Sequence, residues 1–386
     1  MENFSFYMPT RLFFGAGSVK RLAKVRLPQG TGLIITGGTS TTRLGYVAKV
    51  ADTLAEAGHP TMVYNKVQPN PTIEGVRECA ALCREQNIAF VVGLGGGSSI
   101  DTAKAVAIMA TNDGDWWDYI HGGTGGGKRM VNAGLPIVAI PTTAGTGTEA
   151  DPFTVITNGE EKIGGGGEKC FPTISIVDPD FMMTVPPHLT AYQGFDAFFH
   201  AAEGYLAKTA NPMSDMFALK AIELVAAHLR NAVEDGSDPV ARNGMAEAQY
   251  IAGMGFSNVG LGIVHSMAHP LGAFYDTPHG VANALLLPYV MEYNAESPSR
   301  AKYLDIARAM GVDTAGMSVD ESVAAAVGAV RDLSLSIGIP QRLHEIGVRE
   351  EDIPALAVAA FNDVCTGGNP RPTSVGDIEK LYRTAF

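Results

Sequence analysis

Residues 89–110 have the sequence AFVVGLGGGSSIDTAKAVAIMA, in which two apolar runs flank a cluster of glycines. The first run predicts a buried parallel strand at residues 89–93, and the second predicts a helix at residues 99–110. Ser98 and Asp101, three positions apart, predict a capping pair at the start of that helix. A strand, a glycine turn and a helix therefore form the unit from which we expect the first half of the chain to be built.

The same unit recurs on both sides of this segment. Alternating strands and helices of this length predict a parallel sheet covered on both faces, an α/β arrangement of the Rossmann-like kind. An opening strand or hairpin is expected at residues 4–14, and a four-glycine turn at 164–167. The remaining expected strands are 32–36, 61–65, 136–140, 153–157 and 173–177, and the expected helices are 44–57 and 71–86.

The pattern changes after Pro186 and Pro187, where helical periodicity replaces alternating strands and helices. We therefore expect two domains, an α/β dinucleotide-binding domain at residues 1–187 and an all-helical metal-binding domain at 188–386. Helices of the second domain are expected at residues 190–207, 214–230, 238–255, 299–310, 319–336 and 351–363.

Composition limits the classes of partner. A net charge of −12 argues against nucleic acid or an anionic membrane, because both require a basic face. No apolar run reaches the length of a membrane span, and the N-terminus lacks the pattern of a secretion signal, so a cytoplasmic location is expected. Of the four cysteines, Cys79 and Cys83 share one helix face and are expected to lie in a core.

Two loops at strand ends are candidates for binding phosphate. The glycines at 95–97 precede a helix start, where backbone amides and the helix dipole favour an anion. The sequence PTTAGTGTE at 141–149 supplies hydroxyls at the end of a second strand. Together the loops predict a pyrophosphate crevice, although a tight strand-to-helix turn is the alternative interpretation of the glycines, which do not match the usual dinucleotide fingerprint.

Three of the nine histidines lie in MGFSNVGLGIVHSMAHPLGAFYDTPHG at 254–280, where Asp276 is the single charged residue. His265 and His269 are four apart, and His279 follows a Pro270-Leu271-Gly272 break that is expected to turn the chain back. In a second segment, GFDAFFHAAEGYLAK at 194–208, Asp196 and His200 share one helix face. Imidazoles and a carboxylate in apolar surroundings predict a site for Fe(II) or Zn(II) with one open position.

The alternatives are ordinary structural roles. A single buried histidine is more often a hydrogen-bonded core residue than a ligand, and this interpretation is favoured for His269 alone. Asp196 and His200 could form a solvated surface pair, but Phe195, Phe198 and Phe199 surround them with apolar side chains. The spacing alone does not decide which histidines bind a metal.

Four motifs resemble the iron-dependent (group III) alcohol dehydrogenases: GGGSSIDTAKA at 95–105, PTTAGTGTE at 141–149, GFDAFFHAAEGY at 194–205 and GLGIVHSMAHPLGAFYDTPHG at 260–280. The resemblance covers nearly the whole chain. It implies the two-domain fold of the dehydroquinate synthase-like superfamily and NAD(P)-linked interconversion of a short-chain alcohol or diol and its aldehyde, of the lactaldehyde and propanediol type.

The resemblance also implies roles for individual residues. The metal ligands fall on Asp196, His200, His265 and His279, and His269 corresponds to a histidine beside the metal that relays a proton. Phe153, Phe256 and Cys365 correspond to positions that line the substrate pocket. Coenzyme contacts are expected from Gly37, Thr39, Ser40, Asn70, Gly96, Gly97, Ser98, Thr142, Thr143, Thr146 and Lys162.

Two positions depart from the family pattern. Many members carry an acid after the strand that corresponds to GLIIT at 32–36, where it repels the 2′-phosphate of NADP, and this chain has Gly37 there. With Thr39, Ser40 and Arg43 nearby, NADP is expected to be accepted besides NAD. Residues 164–167, which follow Lys162, are all glycine and provide neither charge nor bulk, so the resemblance supports a contact between Lys162 and the coenzyme less strongly.

Three other functions agree less well with the sequence. A metal- and NAD-dependent lyase of the dehydroquinate synthase type needs basic side chains for an anionic substrate, and residues 254–280 contain no Lys or Arg. Glycerol dehydrogenase fits the second-half motifs less well. A metal-binding or nucleotide-binding protein without catalytic activity would need neither an open coordination position nor a spare histidine. A homo-oligomer, at least a dimer, is expected because an exposed N-terminal strand can pair with a second copy.

Overall fold

The computed structural model describes residues 3–159 and 161–386, which divide into two compact units. Residues 8–143 and 147–183 form the sheet unit, and residues 3–7, 144–146 and 184–386 form the helical unit. The division falls four residues before the boundary expected at 187, because the segment ahead of the first long helix already packs in the helical unit. There, the Val185 carbonyl accepts a hydrogen bond from Arg242 Nη2 (2.8 Å).

Eight strands lie in the sheet unit: β1 (Arg11–Phe14), β2 (Gly32–Gly37), β3 (Thr61–Val67), β4 (Phe90–Gly95), β5 (Ile137–Pro141), β6 (Phe153–Asn158), β7 (Glu161–Gly166) and β8 (Ile174–Val177). Six of them pair in parallel in the order β1-β8-β5-β4-β2-β3, and β6 and β7 form an antiparallel hairpin. The expected parallel sheet is therefore confirmed.

Four helices accompany these strands: α1 (Ser40–Arg43), α2 (Tyr46–Glu56), α3 (Ile73–Glu85) and α4 (Gly97–Met109). The apolar strand residues alternate between two hydrophobic clusters, so that Val91 joins one and Val92 the other. Both faces of the sheet are thus covered, which explains why the strands are apolar without alternation. Cys79 and Cys83 are fully buried in α3, as expected.

The helical unit contains nine labelled helices: α5 (Pro187–Leu206), α6 (Pro212–Glu234), α7 (Pro239–Phe256), α8 (Ile263–Tyr275), α9 (His279–Asn294), α10 (Tyr303–Ala309), α11 (Val319–Ser336), α12 (Ile353–Phe361) and α13 (Val375–Ala385). They share one hydrophobic core, in which Phe195, Phe198 and Phe199 are completely buried. Within the described ranges, no helix has the length and apolarity needed to span a membrane.

The expected opening strand at residues 4–14 is too long, since only Arg11–Phe14 pairs with the sheet. The residues before Met8 pack in the helical unit instead. There, Phe6 stacks on Phe217 at 5.5 Å between ring centres, and Tyr7 N donates to Asn258 Oδ1 (2.7 Å). Pro9, which lacks an N–H group, separates this segment from the strand.

The four-glycine turn expected at 164–167 is wrong, because residues 164–166 belong to β7. The side chain of Ile120 occupies the space above this strand. A Cβ atom on Gly165 would lie only 2.1 Å from Ile120 Cδ1. The glycines therefore let the segment after Trp116 and Trp117 lie directly against the hairpin.

The expected break at Pro270-Leu271-Gly272 is also wrong. Helix α8 continues through all three residues to Tyr275, and the chain turns at Asp276, which has a φ of 52°. Pro270 and Leu271 are buried, so their packing outweighs the backbone hydrogen bond that the proline cannot make. The turn still brings His279 back, as the first residue of α9.

Candidate metal centre and coenzyme loops

Helix α5 presents the first two candidate ligands. Asp196 and His200 are buried one turn apart, with Asp196 Oδ1 4.0 Å from His200 Nδ1. Phe256, at the end of α7, stacks on the His200 ring at 4.6 Å between ring centres. The expectation that both side chains leave one helix face into apolar surroundings is therefore confirmed.

Helices α8 and α9 bring the other histidines to the same place. The ring centre of His265 lies 4.9 Å from that of His200 and 5.3 Å from that of His279. The His269 ring stacks on His279, 5.3 Å away, with an interplanar angle of 15°. Three separate helices thus gather four imidazoles and one carboxylate in one buried cluster.

The donor atoms share this cluster without converging on one point. Within residues 3–159 and 161–386, no three His, Cys, Asp or Glu side chains are arranged to hold a metal ion as they stand. Their chemistry nevertheless fits a divalent transition metal. Asp196 Oδ1, His200 Nδ1 and His265 Nε2 are buried with no hydrogen-bond partner in the described structure. Buried polar atoms are rarely left in this state unless an ion or ligand satisfies them.

Burial shifts the pKa values of these groups in the directions that favour their neutral forms. It raises the pKa of Asp196 well above its usual range and lowers the pKa values of His200 and His265 well below theirs. Neutral imidazoles are the form that binds metals. A cation in the cluster would reverse the effect of burial on the carboxyl, because it favours the carboxylate.

A buried glutamate that sequence reasoning missed holds one candidate ligand. Glu203 Oε2 lies 2.6 Å from His265 Nδ1, and its Oε1 accepts from the Val264 backbone (2.8 Å). Burial raises the pKa of Glu203 to about 7. Because the carboxylate occupies Nδ1, the lone pair of His265 is directed to Nε2, which is the usual arrangement for a metal-binding histidine. The signal was present in the sequence, as an acid in the apolar run three residues after His200.

The predicted pocket residues lie in different units. Phe256 and Cys365 are in the helical unit, where Phe256 is 5% exposed and burial raises the pKa of the Cys365 thiol well above its usual range. Phe153 opens β6 in the sheet unit and is 38% exposed. The pairing of Phe153 with Phe256 in one pocket stays a prediction.

The tip of the threonine loop belongs to the helical unit. Residues 144–146 pack there, and Gly145 N donates to Gln249 Oε1 (2.8 Å). The backbone of Gly145 also acts on the His200 imidazole, raising its pKa against the larger opposing effect of burial. Gly145 is therefore held beside His200, and Thr146 follows it in the helical unit, whereas Thr142 and Thr143 belong to the sheet unit.

Most of the other coenzyme candidates lie at the carboxyl ends of β2, β3, β4 and β5. Thr142 N donates to the Gly95 carbonyl (2.9 Å), which joins the threonine loop to the glycine turn. Lys162 Nζ donates to Asn70 Oδ1 (2.9 Å). Strand β2 lies between β3 and β4, so the chain reverses direction across the sheet there. Open α/β sheets bind ligands in the crevice at such a reversal.

The expected capping pair at the glycine turn is wrong. Gly96 is the N-cap of α4 and does not provide a side-chain cap. Ser98 Oγ donates instead to the Pro69 carbonyl (2.6 Å), and Asp101 Oδ1 accepts from Thr148 Oγ1 (2.7 Å). Both side chains therefore connect neighbouring loops and do not cap the start of the helix.

Gly37 has a structural reason to be glycine. A Cβ atom at this position would lie 2.5 Å from the Val67 carbonyl oxygen, where the register between β2 and β3 shifts. The glycine therefore follows from the close approach of two strand ends. It does not by itself indicate a changed preference between NAD and NADP, which weakens the sequence argument for NADP.

A buried charge cluster lies behind the threonine loop. Lys104 Nζ donates to Thr148 Oγ1 (2.6 Å), Asp151 Oδ1 (2.8 Å) and the Phe153 carbonyl (2.8 Å), and Lys104 has no solvent exposure. Burial raises the pKa of Asp151 to about 7 and that of Glu149 to about 8. Sequence reasoning missed this cluster, because Lys104 sits in an apolar helix with an unremarkable spacing.

Comparisons with known proteins agree with the fold. Residues 9–179 match the iron-containing alcohol dehydrogenase family, and residues 190–386 match the C-terminal part of the Fe-containing alcohol dehydrogenase family. The chain is 46% identical to lactaldehyde reductase of Escherichia coli (strain K12), over 97% of both chains.

Two solved structures are similar over the full length. The crystal structure of a 1,3-propanediol oxidoreductase is 39% identical, with a TM-score of 0.93 and 100% of both chains covered. A sulfoacetaldehyde reductase from Bifidobacterium kashiwanohense, solved in complex with NAD+, is 30% identical, with a TM-score of 0.89 and 100% and 99% covered. The chain therefore belongs to the iron-containing alcohol dehydrogenase family and is an oxidoreductase that acts on an alcohol or its aldehyde.

Proposed function

We propose that this enzyme interconverts a short-chain alcohol or diol and its aldehyde, with lactaldehyde and propanediol as the substrate type, and uses Fe(II) and NAD. The observation that carries the proposal is the close approach of the Asp196, His200, His265 and His279 side chains to one another. The identity of 46% with a lactaldehyde reductase supports the substrate class.

These four side chains would hold the metal ion. Asp196 Oδ1, His200 Nδ1 and His265 Nε2 are buried atoms without hydrogen-bond partners among the described residues, and Glu203 fixes the His265 ring. Nitrogen and oxygen donors of this kind accept Fe(II) and also Zn(II). When bound, the metal supplies a Lewis acid for the alcohol or carbonyl oxygen.

The sheet unit would hold NAD. Backbone amides at Gly96, Gly97 and Ser98 would face the pyrophosphate at the start of α4, and Thr142 and Thr143 would add hydroxyls. Asn70 and Lys162 already form a hydrogen-bonded pair on which a ribose or phosphate could dock. Gly37, Thr39 and Ser40, at the end of β2, would lie beside the adenosine ribose, as in other doubly wound sheets.

His269 would move the proton. Oxidation of an alcohol transfers a hydride to the coenzyme and releases one proton, which a neutral imidazole can accept and pass to solvent. The His269 side chain is 17% exposed, so it reaches both the buried histidine cluster and the surface. Phe256, stacked on His200, and Cys365 would limit the space for substrate in the helical unit.

The proposal is tested by an absorbance assay of NADH formation or consumption. The anaerobically purified enzyme would be given a series of short alcohols, diols and aldehydes with each coenzyme. We expect turnover of propane-1,2-diol and lactaldehyde to exceed that of glycerol or of alcohols longer than four carbons. If the enzyme turned over none of the alcohols or aldehydes in the series, the proposed activity would be refuted. A kcat/KM that is higher with NADPH than with NADH would refute NAD as the preferred coenzyme.

We also infer a homo-oligomer, at least a dimer, in the cytoplasm. Strand β1 lies at the end of the six-stranded sheet, paired with β8 on one side, and Leu12 within it is 37% exposed. An edge of this kind can pair with a second copy. All four cysteines are free thiols, which is typical of a reducing compartment. Light scattering after gel filtration tests the first inference, and cell fractionation tests the second.

A further inference from the structure

A second carboxylate faces the imidazole to which we assign proton transfer. Asp363 precedes the short 3-10 helix Val364–Gly368, and its Oδ2 lies 2.7 Å from His269 Nδ1. The side chains of Asp363 and His269 are 16% and 17% exposed, so protein surrounds this hydrogen bond on most sides. The hydrogen bond fixes the orientation of the His269 ring, and the low exposure of both side chains limits competition from water.

The carboxylate of Asp363 is itself fixed from the other side. Its Oδ1 accepts from the Cys365 backbone N–H (2.9 Å) and from Ser266 Oγ (3.4 Å). The Ser266 hydroxyl is in turn hydrogen bonded to Thr366 Oγ1 (2.8 Å). Ser266 lies on α8, the helix that carries His269, so the acid and the imidazole are tied to each other through two routes. The geometry therefore exists before any substrate arrives.

The position of the proton on His269 follows from this contact. A carboxylate can only accept a hydrogen bond, so His269 Nδ1 must carry the hydrogen, and the lone pair of the neutral ring is left on Nε2. The Glu203–His265 pair has the same form one turn earlier on α8. Two imidazoles on one helix are thus both oriented by an acid from another element.

We propose that Asp363 is a positioning residue for proton transfer, which holds His269 in the Nδ1–H form and directs Nε2 to the substrate hydroxyl. In alcohol oxidation the O–H bond breaks and its proton moves to Nε2, while the C–H bond breaks and its electron pair leaves as hydride to the coenzyme. His269 then releases the proton to solvent. This inference rests on the proposed function.

Asp363→Asn in the metal-loaded enzyme separates this role from a role in folding. Asparagine caps a helix start as well as aspartate does. Because the amide oxygen is needed by the Cys365 N–H group, the NH2 group must face His269, where it donates to Nδ1 and reverses the tautomer. We expect kcat to fall about 10-fold to 100-fold, with the KM for coenzyme and the metal content unchanged. The solvent deuterium isotope effect on kcat should increase, because proton transfer becomes slower than the other steps.

A matched control is Asp178→Asn in the sheet unit. Asp178 is also a buried aspartate that caps a short 3-10 helix, Pro179–Phe181. Its carboxylate accepts hydrogen bonds from the backbone N–H groups of Gly17, Val19 and Asp180. We expect this variant to keep the wild-type isotope effect and kcat within about twofold. In a His269→Ala background, Asp363→Asn should cause no further loss, since the two residues act in series.

The outcomes are distinct. A wild-type enzyme without activity on any alcohol would refute the proposed function, whatever the variants do. If the wild type is active, any of three results would overturn the role of Asp363. Asp363→Asn could keep kcat within twofold of wild type, or it could lose metal in proportion to its loss of kcat. It could also lower kcat by the same factor in the His269→Ala background as in the wild type. If Asp363→Asn fails to fold, Asp363→Ser provides the same test, because serine also caps the helix but cannot hold Nδ1–H as a carboxylate does.

Discussion

Replacing Glu149 by glutamine should make the stability of the sheet unit much less dependent on pH. Glu149 has no solvent exposure, and neither carboxylate oxygen has a hydrogen-bond partner among the described residues. Burial, with a contribution from Asp151, raises its pKa from 4.5 to about 8. A folded-state pKa above the unfolded one means that the full stability is present below about pH 4.5 and is lost as the pH rises through 8.

The size of the effect follows from the shift. One pKa unit corresponds to about 1.4 kcal/mol, so a rise from 4.5 to about 8 corresponds to an upper value of about 5 kcal/mol. Glutamine stays neutral, but its buried NH2 group costs about 1 to 3 kcal/mol at every pH if it finds no acceptor. We therefore expect Glu149→Gln to be no more stable than wild type at pH 5 and more stable at pH 9. Its unfolding free energy relative to wild type should rise by about 2 to 4 kcal/mol between these two pH values.

Urea unfolding of the metal-free protein, followed by tryptophan fluorescence, measures this gain. The two tryptophans of the chain, Trp116 and Trp117, are both buried in the sheet unit that contains Glu149. Glu56→Gln, at an exposed position on α2, serves as the control and should follow wild type at all pH values. The unfolding free energies of Glu149→Gln and wild type could instead differ by the same amount from pH 5 to pH 9. That result would show that ionisation of the buried Glu149 does not destabilise the folded protein.

Two further predictions concern the sheet unit and use the same unfolding assay. Lys104→Met should lower the unfolding free energy by about 3 to 5 kcal/mol at pH 8, because Asp151 and Asp101 lose a buried cation, and a loss below about 1 kcal/mol would contradict that pairing. Gly165→Ala should cost about 1 to 3 kcal/mol, since its Cβ atom would meet Ile120 Cδ1 at 2.1 Å. Adding Ile120→Ala should recover part of the loss, and strictly additive losses in the double variant would argue against the contact.

The sequence predicted the parts of the fold that depend on periodicity. The apolar runs of β2, β4 and β5 and the long helices α5, α6, α7 and α11 lie within a few residues of their expected positions. These elements are specified by local pattern, because every apolar residue on one face is buried. The shared helix face of Asp196 and His200 was also predicted, because a helix places residues four apart on one side.

The contacts that the sequence did not predict are those made between distant segments. Gly165 of β7 is required by the close approach of Ile120, which is distant in the sequence. Gly37 is required by the Val67 carbonyl on the neighbouring strand β3. The hydrogen bond between Glu203 and His265 joins residues 62 positions apart, and that between Asp363 and His269 joins residues 94 positions apart. Spacing within one segment carries no information about such pairs.

Metal analysis of ligand variants tests the central claim most directly. Wild-type enzyme and the variants Asp196→Ala, His200→Ala, His265→Ala, His279→Ala and His269→Ala would be purified without oxygen, loaded with Fe(II) and freed of excess metal. We predict about one iron per chain in wild type and in His269→Ala, with a loss of at least about tenfold in the other four variants. Full iron content in any of those four, or an empty site in His269→Ala, would contradict the assignment of these side chains as ligands and of His269 as the proton carrier.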